Sequence, residues 1–169
     1  MAVTLSGKVS LNTAINLANS VDVGNVVYPL NFTSSTTFAN GTGDDQANEA
    51  FSDTRTLTAS STENLDLAGS LLDAFGNTLT FTKVKALIVT ASAANTNDVL
   101  VGGAASNAMS TFFGDATDVI KVKPGGTLLL MAPESAGYAV TASTGDILKV
   151  ANSAGGTSVT YTIIIIGTV

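Results

Sequence analysis

Hydrophobic and polar residues alternate with period two over much of the chain, as expected when successive side chains point to opposite faces of a strand. Val3, Leu5, Val9 and Leu11 alternate with Thr4, Ser6, Lys8 and Ser10, interrupted only at Gly7. Leu79 and Phe81 alternate with Thr78, Thr80 and Thr82, after which the apolar set changes parity to Val84, Ala86 and Ile88. That switch at Thr82-Lys83 predicts a bulge, or a strand passing between two packing environments. Ile120 and Val122 alternate with Lys121 and Lys123. Leu128–Met131 is a continuous apolar run between Gly125-Gly126 and Pro133, the pattern of a strand covered on both faces. Tyr138, Val140, Leu148 and Val150 mark two short strands. The strongest signal is the last: Val159, Tyr161, Ile163 and Ile165 face one way, with Ser158, Thr160 and Thr162 opposite. β-Branched residues dominate these stretches.

Turn chemistry punctuates the pattern at Asn40-Gly41, Gly76-Asn77, Asn95–Asp98, Gly102-Gly103, Pro124–Gly126, Ser143–Asp146 and Gly155-Gly156. From residue 76 onward its spacing is that of an antiparallel sandwich or barrel. Only two short segments, Asn12–Ala18 and Asp66–Ala74, have helical spacing. Thr33–Thr37 and Gly41–Gln46 are polar, carry no period and read as a long loop. The predicted fold is therefore all-β, an antiparallel β-sandwich of jelly-roll type with little helix. Residues 1–53 form an N-terminal strand-containing arm with a glycine-rich loop, and 54–169 the main sandwich.

Composition narrows the chemistry. The 169 residues include no Cys, His or Trp. Without His and Cys there is no Ser-His-Asp or thiol nucleophile, no His-based zinc site and no disulfide framework. No cofactor is expected, and the chain does not read as an enzyme. A net charge of −6 with seven basic residues argues against binding nucleic acid. No basic amphipathic helix points to a membrane surface, and the longest apolar run, Ile163–Ile166, is far short of the roughly 20 residues a spanning helix needs. Met1–Gly7 has neither a basic nor an apolar leader segment, so folding in a cytoplasm is expected. With 45% apolar and 12% charged residues and a mean hydropathy of +0.38, part of the apolar surface is a candidate for cover by neighbouring copies.

Candidate sites are few. Asp44, Asp45, Asn48 and Glu49 offer hard oxygen ligands in a glycine-rich segment, but not at EF-hand spacing; a solvated loop is the plainer reading. Asp66 with Asp73, and Asp115 with Asp118, are nominal carboxylate pairs for glycoside hydrolysis, without an aromatic platform beside them. The glycine-rich segments at Val101–Gly103 and Lys123–Thr127 read as turns. The pairs Lys83/Lys85 and Lys121/Lys123 each place two charges on one strand face. They read as protection of a sheet edge, as a docking stripe for an acidic partner, or as halves of internal ion pairs.

A longer string carries a resemblance. It runs through Phe51–Leu57, Leu65–Phe81, Val84–Leu87, Pro124–Thr127, Ala132-Pro133, Gly137–Val140, Thr144–Asp146 and Tyr161–Gly167. Over residues 51–167 this pattern resembles small virion structural proteins of tailed bacteriophages, in particular head decoration (cement) proteins. The resemblance implies a non-enzymatic protein on the capsid exterior, folded in the host cytoplasm before assembly. Its partners would be the major capsid protein and copies of itself, a trimer being favoured. A tail, vertex or fibre-base component, or a carbohydrate-binding β-sandwich module, are the alternatives. On apolar periodicity near a chain end and on charge scarcity, the expected interface residues are Val3, Leu5, Val9 and Leu11 with Lys83, Lys85, Lys121 and Lys123.

Overall fold

A computed structural model of the protein describes residues 4–169. Twelve strands account for its regular structure, and no helix occurs among the described residues. They are β1 (Gly7–Val21), β2 (Gly24–Asn40), β3 (Gln46–Ala47), β4 (Glu49–Leu57), β5 (Thr62–Asp66) and β6 (Lys83–Ala91), followed by β7 (Val99–Gly102), β8 (Val119–Val122), β9 (Thr127–Met131), β10 (Tyr138–Ala139), β11 (Ile147–Asn152) and β12 (Val159–Thr168). The protein is all-β with predominantly antiparallel sheets, consistent with a β-sandwich.

Two sheets build the body. In the first, β12 lies between β4 and β6, and the far edge of β6 pairs with β9 and, at its start, with β10. The second has the order β5-β11-β7-β8. The alternation along β12 explains why the sheets stack. Val159, Tyr161, Ile163 and Ile165 are buried in one apolar cluster with Leu87 and Val89 of β6 and with Leu65, Val99, Val101, Leu148 and Val150 of the second sheet. The run Leu128–Met131 is packed on both faces as expected: Leu128 and Leu130 meet this cluster, while Leu129 and Met131 meet a second one on the outer face.

A bulge is present, but at Lys85 and not at Thr82-Lys83, and it splits the set Val84, Ala86 and Ile88 that the pattern placed on one face. Ile166 pairs with Ala86 and Gly167 with Val84, which leaves Lys85 as the extra residue of a bulge. Val84 therefore turns into the main core, whereas Ala86 and Ile88 face outward. Leu79 and Phe81 are buried as their pattern predicts, but in an extended, irregular segment, held by amide bonds to the carbonyls of Leu71 and Leu67.

The N-terminal third departs most from expectation. β1 and β2 form one antiparallel hairpin of 15 residue pairs, from Gly7↔Phe38 to Val21↔Gly24, closed by Asp22-Val23. The helical spacing of Asn12–Ala18 is strand, and Thr33–Thr37, expected as loop, pairs with Lys8–Asn12. Cross-strand pairing overrides weak local preference here, and threonine suits a strand in any case. Asp66–Ala74 is the end of β5 followed by turns. The glycine-rich segment shrinks to a short connection at residues 41–45, and β4 spans position 53, where composition places a boundary.

Candidate interaction surface

In an antiparallel pair, residues directly opposite share a face. On one face of the hairpin the register gathers Leu11, Ile15, Leu17 and Val21 of β1 with Val26, Tyr28, Leu30 and Phe32 of β2. On the other lie Ser10, Asn12, Ala14, Asn16, Ala18 and Ser20, opposite Ser35, Thr33, Asn31, Pro29, Val27 and Asn25. The ribbon is thus amphipathic, and its apolar face is open. Leu17 is 57% exposed, Tyr28 61% and Phe32 57%. Between Lys8 and Asp44 the sequence holds a single charge, Asp22 in the connecting turn.

Only the base of this face is covered. Val9 and Phe38 are buried with Ala47 and Ala86, against Leu5, Ile88, Leu129, Met131 and Ile166 on the outer face of the first sheet. The amide of Leu5 donates to Asn40 Oδ1 at 3.0 Å, fixing the entering chain to the end of β2. The expected interface residues therefore separate. Leu5 and Val9 tie the hairpin to its own body, Leu11 begins the open face, and Val3 lies outside the described residues. Ile15, Leu17, Val26, Tyr28, Leu30 and Phe32 were not foreseen. Their alternation is present in the sequence, but reading 12–18 as helical hid the first two.

Three of the four lysines expected at the interface make contacts within the molecule. Lys85, the bulge residue, is fully buried, and its Nζ donates to the carbonyls of Gly43 (3.3 Å) and Glu134. Burial, and secondarily the charge of Lys83, lower its pKa, while Asp44, Glu134 and Asp45 oppose that shift. A lysine so held cannot reach a partner; it pins the loops on either side of the bulge. Lys121 on β8 and Lys123 just past its end are exposed and converge on Asp98 Oδ2, at 3.8 and 3.1 Å, so they are halves of internal ion pairs.

The carboxylates are likewise engaged in structure. Asp73 Oδ1 accepts the amides of Phe75 and Asn77, and Asp115 Oδ1 accepts the amide and hydroxyl of Thr117. Hydrogen bonding from the Asn77 side chain to Asp73, and from the Thr117 amide to Asp115, holds both pKa values below the usual carboxylate range. Asp118 Oδ2 accepts the amide of Asp115. All three groups shape turns. Asp44 accepts the amide of Ser135, while Glu49 lies in β4, where burial and the nearby charge of Asp73 raise its pKa. Among the described residues no three His, Cys, Asp or Glu side chains gather as a metal site, and no helix is long and apolar enough to cross a membrane.

One polar network joins the two sheets. Arg55 of β4 contacts Glu63 of β5 (Nη1–Oε2 2.6 Å) and Asp53 (Nε–Oδ2 3.1 Å), and Tyr161 Oη donates to Glu63 Oε1 at 2.5 Å. On the outer face of the first sheet, threonines pair across strands: Thr54 with Thr162, Thr56 with Thr160, and Thr90 with Thr127, all at 2.9–3.0 Å. The aromatic side chains do not form one platform. Phe112, Phe113 and Tyr138 are half-buried against the main core, with the Phe112 and Tyr138 rings 4.8 Å apart, whereas Tyr28 stands on the hairpin. No protein-family model, curated protein or solved structure matches the chain.

Proposed function

We propose that the protein is a non-enzymatic structural component of a tailed-phage virion. In this reading it decorates or cements the capsid exterior by binding the major capsid protein lattice and neighbouring copies of itself. The observation that carries the reading is the amphipathic hairpin held out from a packed β body with its apolar face uncovered. A two-stranded ribbon is at best marginally stable alone in water, so a ribbon of 15 residue pairs is built to be completed by something else. Many copies fastened in this way stabilise a shell through multivalency even where each contact is modest.

The rest of the molecule supports a structural role. Asp73, Asp115 and Asp118 are committed to turns and Lys85, Lys121 and Lys123 to internal contacts, and the net charge of −6 repels nucleic acid. A tail, vertex or fibre-base position would use the same surface. The carbohydrate-binding alternative draws no support from the aromatics, since Tyr28 is separate from the Phe112–Tyr138 group.

Co-sedimentation with shells assembled from the cognate major capsid protein tests the proposal. The wild type is expected to pellet at fixed stoichiometry. A variant in which Asn12–Thr33 is replaced by an Asn-Gly turn, joining the paired Leu11 and Ser34, should keep a body that melts within a few degrees of wild type and lose shell binding. Failure of the wild type to bind head shells or purified tails at any stoichiometry would overturn the reading.

A further inference from the structure

We infer that the apolar face of the hairpin is an interface between copies of this chain, and that the protein reaches its shell already assembled through it. This rests on the structural reading above and names the occupant of the face. Eight side chains exposed by 40% to 61%, two of them aromatic and six smaller aliphatics, leave on the order of 600–700 Å² of largely apolar surface open. That exceeds the largest apolar patch of a typical monomer, about 300–600 Å². It is comparable to the roughly 800 Å² per partner of a standard stable interface.

Three further observations select a second copy. The first is charge: the face carries none, while the molecule as a whole carries −6, so this is the part of the surface that two identical acidic molecules can join without like-charge contact. The second is shape. An isologous contact can lay the aliphatic row of one β1, Leu11, Ile15 and Leu17, over the row of the other β2 that carries Tyr28 and Phe32. The third is timing. An open apolar ribbon with unpaired edges is an aggregation hazard from the moment it folds, and another copy is the partner always present then. The opposite face, with Asn12, Asn16, Ser20 and Asn31, stays in water.

The test is the mass in solution, by light scattering after size exclusion, of the wild type and two variants. L17D/Y28D places two carboxylates on one rung of the apolar face, and N16D places one on the polar face. The wild type and N16D are expected to run as the same oligomer at micromolar concentration. L17D/Y28D should run at the 17.0 kDa of one chain, with association weakened at least 100-fold and the body's thermal transition retained. A monomeric wild type, or an oligomer that persists in L17D/Y28D, would overturn the inference. Shell co-sedimentation keeps the two proposals apart. A monomeric wild type that pellets with shells through its hairpin sinks this inference and leaves the structural role standing. A hairpin-dependent oligomer that ignores shells and tails does the reverse.

Discussion

At the scale of single residues, Arg55, Glu63 and Tyr161 do what a disulfide does in other small β proteins: they tie one sheet to the other. Burial works against the charge of Arg55, but its hydrogen bond to Glu63 and the carboxylates of Glu63 and Asp53 outweigh that and raise its pKa. Tyr161 is 1% exposed, and its burial, then its bond to Glu63, push its pKa far above 10. Tyr161→Phe removes one hydrogen bond to a charged acceptor and should cost about 1–3 kcal/mol at pH 8, read by urea unfolding. The pH dependence has a definite sign. A group whose folded pKa is raised contributes stability that is complete below its unfolded value, near 10 for tyrosine, and is lost as pH rises beyond it. The stability gap between wild type and Tyr161→Phe should therefore shrink above pH 10 by about 1.4 kcal/mol per unit. A gap that stays constant to pH 11 would show that Tyr161 ionises equally in both states.

At the scale of elements, the bulge of β6 shows how one residue redirects a strand. Inserting Lys85 between Val84 and Ala86 lets Val84 join Leu87 and Val89 in the main core while Ala86 and Ile88 meet the outer cluster. Gly167, opposite, has no room for a side chain: a Cβ there would collide with the carbonyl of Lys83 and lie 2.9 Å from the Phe81 ring. Because backbone cannot yield cheaply, Gly167→Ala should destabilise by about 2–3 kcal/mol and lower the midpoint of thermal unfolding. An unchanged midpoint would mean that the β6–β12 register can slide. The bulge was expected at Thr82-Lys83 and lies at Lys85, whereas the buried faces of β9, β11 and β12 were legible in the sequence, because tertiary burial and local alternation agree there. The hairpin was not. Its β2 strand contains the unbroken polar run Thr33–Thr37, and its β1 strand contains Asn12, Asn16 and Asn19, so the sequence suggested a loop and a helix. What fixes both as strands is their pairing with each other, which outweighs the weak local preference of these segments. The candidate site was legible only at its first residue, Leu11. Which reading of the lysine pairs applies was not legible, because burial and ion pairing depend on neighbours 23 or more residues away, Asp98 for Lys121 and Lys123, and Gly43 and Glu134 for Lys85.

At the scale of the molecule, charge and apolar surface are segregated. Of 13 acidic and 7 basic residues, only Asp22 falls within the stretch from Val9 to Gly43. The body is therefore the charged, mutually repelling part, and the hairpin the neutral, adhesive one. This arrangement predicts a salt dependence opposite to that of charge-steered docking. Between about 0.05 and 0.5 M NaCl the Debye length falls from about 14 to about 4 Å, which screens repulsion between acidic bodies and leaves apolar contact untouched. Self-association should hold or tighten over that range, and ammonium sulfate at equal ionic strength should tighten it further by favouring apolar burial. Sedimentation equilibrium across the series reads the effect directly. Weakening by tenfold or more with added NaCl would place the energy of association in ion pairs. The exposed Lys121 and Lys123 would then have to exchange Asp98 for a partner's carboxylate, and the apolar face of the hairpin would lose its claim to the interface.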